Sequence, residues 1–173
     1  LFPHQCSATT GSAERALERV LHGDEAWSRA GKGQLEWVRD FADHPAYIDA
    51  LVRHIEGTLS TSCGWANGQN AVPDPRTVHV LFSAHNVPER LPRSGDPYVS
   101  RIEATRALVA AALGERIGSH SLCWQSRGGP VRWLQPSAEA AMLDLHRRGV
   151  RHLVVVPLSF VCDNIENVVE VDL

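Results

Sequence analysis

Two side chains that could exchange protons or bind a metal ion follow separate apolar runs of the chain. His85 follows VHVLFSA at residues 78–84, and Glu166 follows the apolar run that ends at Cys162. An imidazole titrates near neutral pH, and a carboxylate binds divalent cations, so the pair could accept protons or deliver a metal ion. A histidine at the end of a strand can also simply solvate a loop. Position alone leaves both interpretations open.

The segment around Glu166 is rich in carboxylates. Glu170 lies four residues after Glu166, and Asp163 lies three residues before it. On a helix these groups would share one face and repel one another, unless they attract a divalent cation or relay protons. The alternative is a solvated acidic start of a helix, which the helix dipole favours.

The elements that must position these groups alternate between strands and helices. Apolar runs predict strands over residues 78–84, 119–124 and 152–161, and an alternating run predicts another over 35–41. Helical periodicity predicts helices over 12–22, 44–59, 98–113 and 137–148, with Ser12 and Ser137 as N-caps. This order predicts an α/β fold with a mainly parallel sheet. The carboxyl ends of such strands meet at one edge, so His85 and Glu166 could face one cavity.

Several side chains are predicted to have only structural roles. In the helix over 98–113 the predicted inward residues are Val99, Ile102, Leu108, Val109 and Ala112. The tryptophans Trp27, Trp37, Trp65 and Trp133 are expected to be packing residues. Surface or helix-face positions are expected for His4, His22, His44, His54, His79, His120, His146 and His152, of which His4 is the least secure.

Composition excludes some classes of function. The chain has 173 residues and a formal net charge of -3, so it lacks the basic surface that nucleic acid requires. We expect no transmembrane segment, because no apolar run approaches the roughly 18 residues that span a bilayer, and peripheral membrane association stays open. The four cysteines (Cys6, Cys63, Cys123 and Cys162) form no CxxC pair, so we expect reduced thiols in a cytoplasmic protein.

Three segments, in this order and spacing, resemble the signature segments of the ferrochelatase family. They are LFSAHNVPERLPRSGDPY at 81–98, WQSRGGPVRWLQP at 124–136 and VVVPLSFVCDNIENVVEVD at 154–172. FPHQCSATTGS at 2–12 and VRDFADHPAYIDAL at 38–51 are similar to further parts of that family. The resemblance implies insertion of Fe2+, as substrate, into protoporphyrin IX or coproporphyrin III in haem biosynthesis.

The resemblance also implies a fold and roles for individual residues. The fold would be Rossmann-like and chelatase-like, with a parallel sheet flanked by helices, truncated at both ends of this chain. Residues 1–75 would be the last part of an N-terminal half-domain, and residues 76–173 most of a C-terminal one. His85 and Glu166 would be catalytic, and Glu170 would join them in binding the metal. Trp124 and Ser126 would line the porphyrin cleft.

Two departures from the family pattern affect these expectations. Asn164 stands where many members have a histidine, and asparagine cannot titrate. Ser7 stands where some members have a cysteine ligand of a [2Fe–2S] cluster, with Cys6 one position early, so we expect no cluster. Two alternative functions stay open: a cobalt or nickel tetrapyrrole chelatase, and a non-catalytic tetrapyrrole-binding or carrier protein, which Asn164 favours.

Overall fold

In a computed structural model of the chain, the described residues form a parallel sheet flanked by helices. The residues described are 4–23, 38–61 and 72–158, apart from the side chain of residue 22. The strands are β1 (Val78–His85), β2 (Ser119–Gln125) and β3 (His152–Pro157). Their order in the sheet is β2-β1-β3, and both pairings are parallel. The predicted α/β fold is therefore confirmed, with β1 between its two neighbours.

Helices precede β1, and helices also connect β1 to β2 and β2 to β3, as the sequence predicts. Within the described ranges they are α1 (Thr10–Gly23), α2 (Pro45–Ser60), α3 (Arg90–Arg93), α4 (Tyr98–Leu113) and α5 (Ala138–Arg147), with short 3-10 helices at Pro75–Thr77 and Gly114–Arg116. The predicted N-cap Ser137 is confirmed, because its hydroxyl accepts a hydrogen bond from the backbone N–H of Ala140. The predicted N-cap Ser12 is wrong. The helix begins at Thr10, and the Ser12 hydroxyl donates to the carbonyl of Ala8.

Each face of the sheet packs against different helices. Val78, Val80 and Phe82 of β1 are fully buried in a cluster that includes side chains of α2 and α4. Leu81 faces the other side, where it packs with Cys123 of β2 and with side chains of α5. Both faces of the sheet are covered, which is why most residues of its central strand are apolar.

Helix α4 matches the predicted bounds, but two of its predicted inward residues are wrong. Leu108 is 42% exposed and Ala112 is exposed, whereas Thr105 is fully buried on the inward face. The Thr105 hydroxyl donates to the carbonyl of Ala42 at 2.7 Å, so its polar group is satisfied away from water. A hydrogen-bonded threonine therefore occupies a core position that an apolar pattern cannot reveal.

The predicted strand over residues 35–41 is wrong where it can be compared, because residues 38–41 are not a strand. Val38 is 83% exposed. The Asp40 carboxylate accepts from the N–H of Ala42, and the N–H of His44 donates to the carbonyl of Phe41. These local bonds form a turn into α2, and they use polar groups that a strand would have paired with a neighbour.

Two histidines that were expected at the surface, His4 and His79, are buried. The Nε2 atom of His4 lies 3.0 Å from the Thr105 hydroxyl, and the rings of Phe41 and Tyr47 pack around the imidazole. Burial lowers the pKa of His4 to about 4, against a weaker opposing effect of the Asp40 charge.

His79 of β1 forms hydrogen bonds to two serines of β2. Its Nδ1 atom lies 2.7 Å from the hydroxyl of Ser119, and its Nε2 atom lies 2.8 Å from that of Ser121. Burial lowers the pKa of His79, and the charge of Arg148 acts in the same direction. Both nitrogens are engaged, so His79 has a structural role in the sheet.

No helix in the three described ranges is long and apolar enough to cross a membrane.

The close approach at Gly118 generates a stability prediction. A Cβ atom at this position would overlap the carbonyl oxygen of Arg76 and would lie 3.2 Å from that of Val78. We expect Gly118→Ala to lower the free energy of unfolding by about 1–3 kcal/mol, because the backbone must move apart. Gly57→Ala is the matched control, since nothing lies near a Cβ there, and helix propensity should raise stability by about 0.5–1 kcal/mol. Urea unfolding followed by circular dichroism measures both. Equal midpoints for the two variants would contradict the prediction.

A second prediction concerns the pH dependence of stability through His4. The folded-state pKa lies near 4 and the ordinary value is 6.5, so the unfolded chain binds a proton first as the pH falls. The contribution of His4 to the free energy of unfolding is therefore fully present above the ordinary pKa, and it is lost as the pH falls toward the folded-state pKa. The free energy of unfolding should fall by about 3 kcal/mol in total through this residue. Urea unfolding across this pH range should show a flatter dependence for His4→Gln. Identical slopes in the two proteins would contradict the assignment.

Candidate functional site

His85 is the last residue of the central strand and lies at the carboxyl edge of the sheet. It is partly buried, and it pairs in register with Gln125. Its carbonyl oxygen accepts a hydrogen bond from the Tyr98 hydroxyl at 2.9 Å. Tyr98 is itself 4% exposed, as the first residue of α4. The backbone of His85 is therefore fixed by the sheet and by a buried phenol.

A buried polar pair lies directly before His85 in the sheet. The Ser83 hydroxyl donates to Oε1 of Gln125 at 2.7 Å, and both side chains are buried. Cys123 belongs to the same region, and burial raises the pKa of its thiol, with a weaker opposing effect of a hydrogen bond to Ser83. The raised pKa keeps the thiol protonated, so Cys123 fits the predicted role of a small core residue.

The second strand ends beside the first. Trp124 is 5% exposed and lies in the main core cluster, and its ring centroid is 6.3 Å from that of Tyr98. Ser126 follows β2 with a positive φ of 64°, where the chain turns sharply out of the sheet. This left-handed conformation is uncommon for a residue other than glycine. Ser126 is partly buried at the edge that also carries His85.

The segments that leave β1 and β2 pack on each other. We call residues 86–89 the first exit loop and residues 126–136 the second exit loop. The N–H of Glu89 donates to the carbonyl of Arg132 at 2.9 Å, and Pro88 and Trp133 form an antiparallel bridge. The N–H of Trp124 donates to the carbonyl of Pro136 at 3.0 Å, which closes the base of the second exit loop.

Asp96 joins the N-terminal segment to the start of α4. One carboxylate oxygen accepts from the N–H of Ser7 at 2.7 Å, and the other accepts from the N–H of Tyr98 at 2.9 Å. The turn before Asp96 includes Gly95, whose φ of 90° suits glycine. The segment that contains Cys6 and Ser7 is thereby tied to the helix that supports His85.

The third strand leaves the sheet next to the other two. Pro157 pairs with Ser83, and the N–H of Leu158 donates to the carbonyl of Ser83 at 2.8 Å. The predicted site residues Glu166 and Glu170, and the departure at Asn164, lie outside the described residues. The structure therefore brings His85, Trp124 and Ser126 to one edge of the sheet and describes the start of the third exit only.

Among the described residues, no group of three or more histidine, cysteine, aspartate or glutamate side chains comes together as a metal site. Cys6 and Cys123 are buried free thiols.

Two residues at this edge were not singled out from the sequence: Tyr98 and Gln125. Each is a polar side chain that directly flanks the end of a predicted strand or the start of a helix. Their position at such a junction could have identified them in the sequence, because buried polar groups near a strand end need hydrogen-bond partners.

Comparison with known proteins gives an independent result. A family model described as Ferrochelatase matches residues 1–173 of the chain.

Individual relatives agree with the family model, and each is named Ferrochelatase. The protein from Geobacter sp. (strain M21) is 39% identical over 173 residues, which cover 100% of this chain and 49% of that protein. The protein from Geotalea daltonii (strain DSM 22248 / JCM 15807 / FRC-32) is 42% identical over 174 residues and is covered to 49%. The one from Synechococcus sp. (strain RCC307) is 40% identical, with 41% of its length covered. The chain spans half or less of the length of these curated relatives. Since the family model matches its whole length, this chain belongs to the ferrochelatase family.

Proposed function

We propose that the protein carrying this chain inserts Fe2+ into a porphyrin, either protoporphyrin IX or coproporphyrin III, in haem biosynthesis. Family membership supports the reaction class. The observation that carries the proposal is the placement of His85 at the end of the central strand, with the exit of β2 on one side and that of β3 on the other.

Metal insertion into a porphyrin is a proton-transfer problem as well as a binding problem. Two pyrrole N–H bonds break and four nitrogen–iron bonds form, so two protons leave for each Fe2+ that enters. A neutral imidazole can accept one of these protons or hold the incoming cation. We assign the catalytic role to His85 and Glu166, and we add Glu170 to them as the metal-binding set.

His85 suits this role because its backbone is held while its imidazole stays at the sheet edge. The hydrogen bond from Tyr98 and the strand pairing with Gln125 both act on the main chain. A base that is fixed in this way needs little reorganisation when substrate binds. For the porphyrin cleft we assign Ser126 and Trp124. Ser126 lies at the mouth of the second exit loop, and Trp124 forms part of the packed wall with Tyr98.

The half-domain boundary near residue 75 is part of the same proposal. All the described strands follow that boundary, in agreement with a C-terminal half-domain built on residues 76–173. Helix α2 precedes the boundary but contributes Val52, Ile55 and Leu59 to the core cluster of the sheet. The two parts would therefore share apolar packing as well as a cleft.

The proposal includes no nucleic-acid partner and no iron–sulfur cluster. It places the protein in the cytoplasm with peripheral membrane contact left open, and the reduced state expected of free thiols such as Cys6 and Cys123 supports that compartment.

A carrier of tetrapyrroles is the second candidate function, and Asn164 is the observation that favours it, since an amide cannot relay protons. A carrier would bind porphyrin without metallating it. A cobalt or nickel chelatase would metallate, but with a different order of metal preference. One assay with several metals therefore separates the three candidates.

The test is substitution of the proposed base in the full-length protein. His85→Ala should lower the rate of Fe2+ insertion by at least about 100-fold, because general-base catalysis typically contributes that much. Porphyrin affinity should change little, since the backbone contacts of this residue are retained. His146→Ala is the matched control, because His146 is an exposed histidine in the last turn of α5. Porphyrin absorbance follows both binding and metal insertion.

Three results would count against the proposal. Tight porphyrin binding without metal insertion, unchanged by His85→Ala, would support a carrier. Metal insertion that is equally fast in His85→Ala would remove the imidazole from the mechanism. Faster insertion of Co2+ or Ni2+ than of Fe2+ under matched conditions would favour the other chelatase class.

A further inference from the structure

We infer that Asn86 is a positioning residue, whose side-chain amide pairs with the backbone N–H and C=O of Leu134 and holds the second exit loop against the strand end that carries His85. This inference rests on the proposed function, because it assigns the loop to the wall of the porphyrin site.

The pairing uses both ends of the amide. The Nδ2 atom of Asn86 donates to the carbonyl of Leu134 at 3.2 Å, and the N–H of Leu134 donates to Oδ1 of Asn86 at 3.1 Å. These two bonds reproduce the exchange that neighbouring peptide groups make in a sheet. The side chain of one residue thus takes the place of a strand neighbour for the second exit loop. Asn86 is 2% exposed, so water does not compete readily for these bonds.

The backbone of Asn86 is fixed as well. Its N–H donates to the carbonyl of Gln125 at 2.7 Å, which extends the pairing of β1 and β2 by one residue beyond His85. The amide therefore projects from a rigid position. A loop that is held by this amide takes its position from the same strand end that sets the position of the proposed base.

Two further links between the exit loops run through the main chain. They are the bond from Glu89 to Arg132 and the bridge between Pro88 and Trp133. Main-chain bonds tolerate many sequences, whereas the Asn86 pair requires a donor and an acceptor on one short planar group. Trp133, next to Leu134, also has a buried indole nitrogen with no hydrogen-bond partner among the described residues. Because Trp133 directly precedes Leu134 in the chain, a shift of the Leu134 backbone would move Trp133 as well.

Other side chains cannot fully reproduce the contact. Alanine has neither a donor nor an acceptor in its side chain. Serine has a shorter side chain that cannot reach both the N–H and the carbonyl oxygen of Leu134. An aspartate keeps the acceptor for the N–H of Leu134, and burial at this position favours its protonated form, which can donate to the carbonyl. We therefore expect a graded series in which Asn86→Asp retains part of the contact and Asn86→Ala retains none.

We call the pair of hydrogen bonds between Asn86 and Leu134 the clamp. Hydrogen exchange of the backbone amides tests it without any substrate. In the full-length protein, Asn86→Ala should speed exchange at Leu134 and Glu89 by about 10- to 100-fold, as two buried hydrogen bonds are lost. Asn86→Asp should give an intermediate increase of about 3- to 10-fold at the same amides. The near-isosteric aspartate variant keeps the test available if the alanine variant folds poorly.

Ser137→Ala is the matched control for general destabilisation. It removes the N-cap bond to Ala140 at the start of α5 but touches neither member of the Asn86–Leu134 pair. A comparable loss of global stability is expected from it, without a selective effect at Leu134. Unchanged exchange at Leu134 in Asn86→Ala would overturn the inference, and so would equal acceleration in Ser137→Ala.

Steady-state kinetics with a porphyrin and Fe2+ test the positioning role. Because the clamp shapes the wall and does not touch the reacting atoms, Asn86→Ala should raise KM for the porphyrin about 3- to 10-fold, with kcat within about twofold. Asn86→Asp should fall between the alanine variant and the unsubstituted protein. Faster loop exchange with unchanged KM and kcat would overturn the positioning role. If the unsubstituted protein inserts no metal, the proposed function fails by itself, while the exchange measurement still decides the clamp.

Discussion

The parallel pairing of the central strand with both of its neighbours is the constraint on which the whole site depends. Ala84 pairs with Trp124 and Ser83 pairs with Pro157, so the three strands end within a short distance of one another. Successive side chains of a strand alternate between faces, and a slip of one residue would move His85 to the opposite face. The apolar residues of β1 oppose such a slip, because each face packs against its own cluster. Core packing and the position of the imidazole are thus set by the same register.

Buried polar groups next to this register are paired with one another. The bond between Ser83 and Gln125 joins β1 to β2. The pair of bonds between Asn86 and the backbone of Leu134 joins the first exit loop to the second. Asp96 joins the N-terminal segment to α4 in a similar way. Removal of one partner leaves the other buried and unsatisfied, which costs more than the net gain of the original bond. Such pairs therefore stabilise one arrangement of the exit segments relative to alternatives, and under the proposed function that arrangement would shape the wall of the porphyrin site.

Local patterns account for the elements that the sequence predicted correctly, whereas several features that it missed depend on hydrogen bonds that the patterns do not show. Strand β1 and helix α4 were predicted because their periodicity and lengths are local properties. The predicted strand over 35–41 failed because alternation alone does not show that Asp40 bonds to its own turn. The buried place of His4 depends on Thr105, which lies 101 residues away. The strand exits could be predicted from parallel topology, but the amide pairing of Asn86 depends on how the second exit loop folds back.

Proton stoichiometry limits how the proposed site can work. Insertion of one Fe2+ releases two protons, and one imidazole accepts only one of them before it must pass it on. Asn164 cannot accept the second, because an amide does not titrate in this range. Under the proposed function the second proton must therefore go to a carboxylate such as Glu166, or to water. A carboxylate beside a cationic imidazole is stabilised in its charged form, so it accepts a proton more readily after the imidazole has released its own. Under the proposed roles of His85 and Glu166, the two transfers would then be sequential.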